Sequence, residues 1–472
     1  MTWRTVTPLM PHQQPAIDKL LPSRVAGLFM PMGTGKTLTA FAFVEARQER
    51  IDCCVWFCPV GYRETIRRQI LLHTDCQDSD ICVFGENTDE ETVPRGCLWY
   101  IVGIESISAY SARVVCTARL LITERTFVVV DESGYIKGPK SRRTERLTLI
   151  ARDSRYRMIL TGTPISQGIV DLFSQMRFLS PLILGYRSFH AFAKNHLVYS
   201  ARFPGLVEGE KNRAYVAERI APYVYQVTKE ECLTLPEKLY SARYCQLSDP
   251  QREAYAEAKE RFLTDDALDR NEWYRSIAIF RLFTALQGIV CGFVNRDGRR
   301  VMLPHYRIDL LLNVLAEIPA EPVVIWAKYR PAAAEIVTAL EAIHGAEAVR
   351  QYHGGLTPLR RQGELDQWCR SGGFLVATQA AGGHCVDMTV ARWAIFYAND
   401  FMYSRRLQAE DRCHRIGQTR PVTYVDLWAS AGIEQRIDAA LVRKGNAVEA
   451  FHKEVSRFRQ GGRRIQDLAR SL

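Results

Sequence analysis

A chain of 472 residues, 47% hydrophobic, is too long for one ordinary core and predicts two or three packed domains rather than a fibrous or disordered chain. The net charge of +10 points to a polyanionic partner, although few basic runs exceed two residues. No apolar run approaches bilayer-spanning length and the N-terminus lacks a signal peptide's apolar segment, so no membrane partner and a cytoplasmic location are expected.

In chain order, RVAGLFM (24–30) reads as a short apolar strand, MGTGKT as a glycine-rich turn and LTAFAFVEA as a helix, the context a phosphate loop needs. Gly33 and Gly35 let the backbone around Thr34 turn its N–H groups inward, and the helix N-terminus adds partial positive charge. Lys36 is placed to reach the β- and γ-phosphates of a nucleotide and Thr37 to hold magnesium through its hydroxyl. The general pattern has a glycine where Met30 stands. CCVWFCP, LWYIVGI, TFVVVDE and YRMILTGTP each read as a buried strand ending in a polar loop. Residues 24 to about 180 therefore predict a parallel sheet with helices on both faces, whose ligands sit at the carboxyl ends of the strands, where Lys36, Asp131 and Thr161 fall. Asp131 is expected to hold magnesium through its water shell and Glu132 to orient and deprotonate an attacking water. Thr161 and Thr163 can hydrogen-bond toward that pair and toward a second lobe.

From about 181 to 300 the spacing turns helical, as in PQREAYAEAKERFL and SIAIFRLFTALQGIV. A second alternating series follows: PVVIWAK, AVRQYHGG, FLVATQAAGG, WAIFYAND and VTYVDLWA. The division predicted is 1–231 for an N-terminal lobe with a helical insertion at about 181–231, 232–442 for a C-terminal lobe with an insertion at about 249–300, and 443–472 for a basic tail. In LQAEDRCHRIGQTRPV, Arg412 and Arg415 lie three apart, so a helix would give them one face, with Gln408 a turn earlier. Facing a triphosphate across a cleft, they would stabilise charge on the transferred phosphoryl group. Thirteen cysteines without a C-x-x-C pair predict reduced thiols and no structural metal.

Together these motifs resemble superfamily-two helicase-like ATPases of the SWI/SNF (Snf-two) type. DRCHRIGQTRPV is similar to that family's final motif, and AAGGHCVDM to its alanine–glycine–glycine segment. LTGTPISQGIVDLFSQMRFLSP resembles its third motif, and LPEKLYSARYCQLSDPQREAYAEA the lead into its second lobe. PHQ, at 11–13, matches its adenine-recognition glutamine, which makes Gln13 the adenine reader by resemblance. The resemblance runs from about residue 9 to 442 and implies an α/β fold of two RecA-like lobes. It further implies ATP and Mg2+ as cofactors, with Gly383, Asp387 and Gln408 among the nucleotide-binding residues and Lys36, Glu132, Arg412 and Arg415 as the catalytic ones. Double-stranded DNA, branched DNA included, is the implied partner, contacted at phosphates through loops near Arg63, Ser106, Lys328, His353 and Thr378.

There are departures from the family pattern. Gly134 stands where the family often has histidine, two places after Glu132, so its link from hydrolysis to the third motif is made differently or weakly here. Cys385 replaces a glycine, and Ser166 and Gln167 replace glutamine and asparagine. The expectation is a near-minimal, monomeric motor of bacterial or phage style that tracks along duplex DNA without parting it, since no two-residue hairpin turn is found in the second lobe to carry a separating pin. A strand-separating DNA or RNA helicase is the alternative, and a DNA clamp with a decayed ATPase a third.

Overall fold

The computed structural model describes residues 3–85, 87–109, 112–165, 168–199, 207–265, 272–296, 298–382, 386–443, 445–448, 450–451 and 454. The chain divides into two compact units, Met1–Thr234 and Leu235–Leu472.

In the first unit the apolar runs form β1 (Val25–Phe29), β2 (Cys53–Cys58), β3 (Ile81–Val83), β4 (Trp99–Gly103), β5 (Thr126–Val130) and β6 (Tyr156–Thr161). β7 (Leu197–Tyr199) and β8 (Val207–Glu210) pair antiparallel as a small hairpin, and β9 (Val224–Gln226) returns to the main sheet. The main sheet is parallel throughout, in the order β3-β4-β2-β5-β6-β1-β9. Every residue of β4 and β5 is buried, as a sheet covered on both faces requires. Trp56 and Trp99 fill one face, packing with Phe41 of the helix Lys36–Glu45.

The second unit repeats the plan. β10 (Lys238–Cys245) is an edge strand, and after a helical stretch come β11 (Phe293–Arg296), β12 (Arg299–Met302), β13 (Val323–Ala327), β14 (Val349–Tyr352), β15 (Phe374–Thr378), β16 (Trp393–Phe396) and β17 (Val422–Ala429). Its sheet is again parallel, in the order β10-β17-β16-β13-β15-β14. The helices Asp249–Leu263 and Glu272–Val290 bury an apolar face with Phe401, Ile433 and Ile437. The chain thus has the expected α/β class, two parallel-sheet lobes with helical additions.

One expectation fails. The second unit does contain a two-residue hairpin turn: β11 and β12 pair antiparallel from Phe293↔Met302 to Arg296↔Arg299, joined by 297–298, an Asp-Gly pair in sequence. Its flanks, FVNR and RRVM, lack apolar alternation because all of β12 is exposed, so only the turn dipeptide signals it. The hairpin is rooted by Phe293, whose ring meets Tyr329 edge-on at 5.4 Å, and by Leu303 N–H donating to Gly292 O (2.8 Å). Among the described residues no helix is long and apolar enough to cross a membrane, and no three His, Cys, Asp or Glu are grouped to hold a metal.

Candidate nucleotide-binding site

The phosphate loop, the acidic pair and the TGTP turn leave the carboxyl ends of three adjacent strands, because β6 lies between β5 and β1. The register sets Phe29 beside Thr161 and Val130 beside Ile159. Beyond the strand ends Met30 N–H donates to Thr161 O (3.1 Å). A Cβ on Gly162 would lie 3.4 Å from both Met30 O and Met32 N, so the TGTP turn lies against the root of the loop.

The loop is held tightly from outside. Gly33 and Gly35 both have φ of +80°, which favours glycine, and a Cβ on Gly35 would fall 2.3 Å from Gln13 Nε2. Buried Gln13 donates from Nε2 to Gly35 O (2.9 Å) and accepts the Met10 N–H at Oε1 (2.8 Å). His12 donates from Nε2 to Thr34 O (2.8 Å), and Thr34 Oγ1 donates to Pro31 O (2.7 Å). Gln13 therefore tethers the loop, and an adenine contact would require its amide to exchange partners. Lys36 Nζ donates to Pro31 O (3.2 Å), and Thr37 stands half-buried in the first turn of the helix Lys36–Glu45.

Asp131 follows β5, its N–H donating to Phe57 O (2.8 Å), and its Oδ1 accepts the Glu132 N–H (2.9 Å). Burial, and then the charge of Glu132, pushes the Asp131 carboxyl up to about 7 against the opposing pull of Lys36. Glu132 sits in the left-handed region (φ 50°, ψ 59°), strained for a side-chain-bearing residue and of a kind that clusters at functional sites. These groups fit a magnesium–nucleotide. A buried carboxylate of raised pKa and a threonine hydroxyl are hard oxygen donors, and so few protein ligands suit an ion that keeps its waters and binds substrate phosphates.

Two residues overlooked in the sequence join this cluster. Ser133 Oγ donates to Gln175 Oε1 (2.7 Å), and Gln175 Nε2 donates to Pro164 O (2.9 Å) and Asp171 O (2.8 Å). Ser133 and Gln175 are both fully buried. The available signal was a glutamine on the inward face of the helix Val170–Leu179, between Leu172 and Met176.

In the second unit the helix Tyr403–Cys413 carries Gln408 and Arg412. Arg406 fastens it to the sheet, bonding Glu410 (2.8 Å), Asn399 Oδ1 (2.8 Å) and Asp426 Oδ2 (3.0 Å), while Lys238 reaches Glu410 at 3.0 Å. Arg412 is buried, its Nε donating to Gln408 O (3.2 Å) and its carbonyl accepting the Met388 N–H (3.1 Å). The expected shared helical face does not form. The helix ends at Cys413, His414 leaves it at φ −106°, ψ 80°, and Arg415 lies beyond, its Nε 3.9 Å from Asp387 Oδ2. Asp387 Oδ1 accepts the Thr389 N–H and hydroxyl, and Gly383 lies outside the described residues.

The expected DNA contacts fall in two groups, one in each unit: Arg63 and Ser106 on adjoining turns bridged by Val60 N–H donating to Glu105 Oε2 (2.8 Å), and Lys328, His353 and Thr378 at the carboxyl ends of the neighbouring strands β13, β14 and β15. Arg63 gives its guanidinium to the carbonyls of Val60 and Phe84, and Ser106 is half-buried in a short 3-10 turn. His353 accepts the Gly355 N–H at Nδ1 (3.1 Å), its pKa pressed down by burial and by Arg330, Arg360 and Arg361. Two placements depart from the expectation. Lys328 Nζ turns inward to Gln287 Oε1 (2.7 Å) and over the Phe401 ring, burial lowering its pKa to about 7, and Thr378 is buried at the end of β15. As placed, neither side chain is offered to a phosphate.

Comparison with known proteins gives this site a lineage. The SNF2-related domain matches residues 23–291 and the helicase conserved C-terminal domain residues 306–417. The ATP-dependent DNA helicase DDM1 of Arabidopsis thaliana is 25% identical over 345 residues, 66% of this chain and 43% of that protein. The TATA-binding protein-associated factor mot1 of Aspergillus fumigatus is 24% identical over 361 residues, 66% of this chain and 19% of its own. The Zorya protein ZorD of Escherichia coli is 26% identical over 320 residues, 63% and 28% respectively. The chain thus spans less than half the length of each of these curated relatives. The Sulfolobus solfataricus SWI2/SNF2 ATPase core in complex with dsDNA aligns at 20% identity over 94% of this chain and 92% of that one, with a TM-score of 0.44. Since the first of these family models covers more than half of the chain and includes the phosphate loop, the acidic pair and the TGTP turn, the chain belongs to the SNF2-related family of helicase-like ATPases.

Proposed function

We propose that this chain is a DNA-dependent ATPase that converts hydrolysis into movement along duplex DNA. The observation that carries the proposal is the convergence of Lys36, Asp131–Glu132 and the Thr161–Pro164 turn at the ends of β1, β5 and β6 in a chain of this family. The backbone of 33–37 cradles the triphosphate, Lys36 neutralises the β- and γ-phosphates, and Gln13 contacts the adenine by exchanging its present partners, Gly35 O and Met10 N–H. Thr37 and Asp131 hold the magnesium ion, which when bound supplies positive charge to the phosphate oxygens. Glu132 takes the proton of the attacking water. Arg412 and Arg415 supply cationic stabilisation of the transferred phosphoryl group, and Gln408, Asp387 and Gly383 are proposed as further nucleotide-binding residues. Thr161 and Thr163 relay the nucleotide state.

Duplex DNA as substrate is supported by the net charge of +10 and by kinship with a relative named as an ATP-dependent DNA helicase. Arg63, Ser106 and His353 remain the proposed phosphate contacts, and we propose that the chain acts as a monomer. One observation favours strand separation instead: the β11–β12 hairpin exposes Arg299, Arg300, Val301 and Met302. ATP turnover measured in parallel with no nucleic acid, single strand, duplex, forked DNA and RNA tests the proposal. Duplex or branched DNA should stimulate best, and stimulation confined to single strands or RNA would overturn it.

A further inference from the structure

Gly134, two places after Glu132, has no side chain with which to link the acidic pair to the TGTP turn. The fold places another link there. Ser133, next to Glu132, donates to Gln175 Oε1 at 2.7 Å, and the same amide donates to Pro164 O, the last residue of TGTP, at 2.9 Å and to Asp171 O at 2.8 Å. Two carbonyl acceptors on one side and a hydroxyl on the other fix the amide orientation, since only Nε2 can serve both carbonyls. Each polar atom of the Gln175 amide is thereby used, with no exposure to water to offer an alternative partner. The neighbouring Glu132 is the residue held in the left-handed conformation, so a shift of Ser133 moves the backbone that aims the carboxylate.

We propose that Ser133 and Gln175 are positioning residues that couple Glu132 to the TGTP turn, so that the DNA-bound state of the turn sets the aim of the general base. This rests on the reading of Glu132 as that base. Breaking either side of a fully satisfied buried amide leaves a polar group unpaired, so a displacement of the turn is passed to Ser133 rather than absorbed between them.

The test is a double-mutant cycle in the full chain with Ser133→Ala, Gln175→Met and the pair, Met filling the glutamine's volume without its amide. Turnover is measured with saturating duplex DNA across ATP concentrations, and each rate is normalised to the folded fraction from a thermal melt. Each single variant should lose about tenfold in DNA-stimulated kcat with the ATP KM within about twofold, and the double should lose no more than the worse single, because both break one link. Wild-type kcat in both singles, losses that multiply in the double, or losses carried by KM alone would overturn the link. Those results leave the ATPase reading standing, provided that wild-type protein is DNA-stimulated and Glu132→Gln is dead. A wild type without DNA-stimulated turnover would overturn the functional reading, and the link with it.

Discussion

Met30 N–H donates to Thr161 O at 3.1 Å, one residue beyond the register that sets Phe29 beside Thr161. That bond fastens the root of the phosphate loop to the start of TGTP, so the two motifs meet in one corner at the end of a parallel sheet. Asp131 and Glu132 enter the same corner from β5, the strand on the other side of β6. A nucleotide seated there meets a pre-formed loop, and this architecture makes the following outcomes specific.

Replacing Lys36 by Ala should abolish hydrolysis, since the loop loses its only cation, while DNA binding persists. Glu132→Gln should retain magnesium–ATP yet stop turnover, because an amide cannot accept the water's proton. Nucleotide binding by fluorescence and phosphate release check both. Near wild-type turnover in Lys36→Ala would refute the site.

The two arginines should differ in a way their sequence spacing does not suggest. Each replaced by Ala should lower turnover about a thousandfold with ATP binding nearly unchanged, as arginine fingers do. Arg412 is buried and bonded within its helix, so Arg412→Ala should also lower the melting temperature, whereas the partly exposed Arg415 should leave it nearly unchanged. ATP affinity falling in step with rate in both would count against the roles.

Asp131 gives the nucleotide-free and metal-free protein a pH signature. Its folded pKa of about 7 lies above its ordinary value of 3.8, so its contribution to stability is present below about 3.8 and lost as pH rises through 7. Above pH 7 the fold carries a buried anion, which Asp131→Asn removes. The variant should melt on the order of 5 °C higher than wild type at pH 8, with the gap narrowing toward pH 4. Equal melting temperatures across that range would contradict the assignment of a buried carboxyl of raised pKa at Asp131.

Salt provides a readout of how DNA is held. Contacts made to phosphates release counterions, so the duplex concentration for half-maximal stimulation should rise steeply and log-linearly with salt, with little dependence on sequence. Scanning salt from about 50 to 200 mM on two unrelated duplexes checks this. A flat response, or a strong preference for one sequence, would point to base reading.

The legible parts of this protein were its buried ones. β2, β4, β5 and β6 are nearly continuous apolar runs because helices cover both faces of their sheet, and the motifs could be placed at their ends for that reason. β3 and β9 span only three residues each, too short for a period to show. β10 is an edge strand whose Leu239, Tyr240 and Tyr244 stay exposed, so it mimics no buried strand. Spacing could not reveal that the helix bearing Arg412 stops before Arg415, nor that Lys328 turns inward to Gln287, a partner 41 residues away. Ser133 and Gln175 lie 42 residues apart, and only the fold unites them.

The β11–β12 hairpin gives strand separation a physical candidate, so the claim of movement along an intact duplex is tested most directly by triplex displacement. The substrate is a duplex bearing a third strand at one end, with both the third strand and the duplex strands labelled, and Glu132→Gln serves as control. The account predicts ATP-dependent release of the third strand with the duplex left paired, and none with Glu132→Gln. Unwinding of the duplex with no release of the third strand would contradict it.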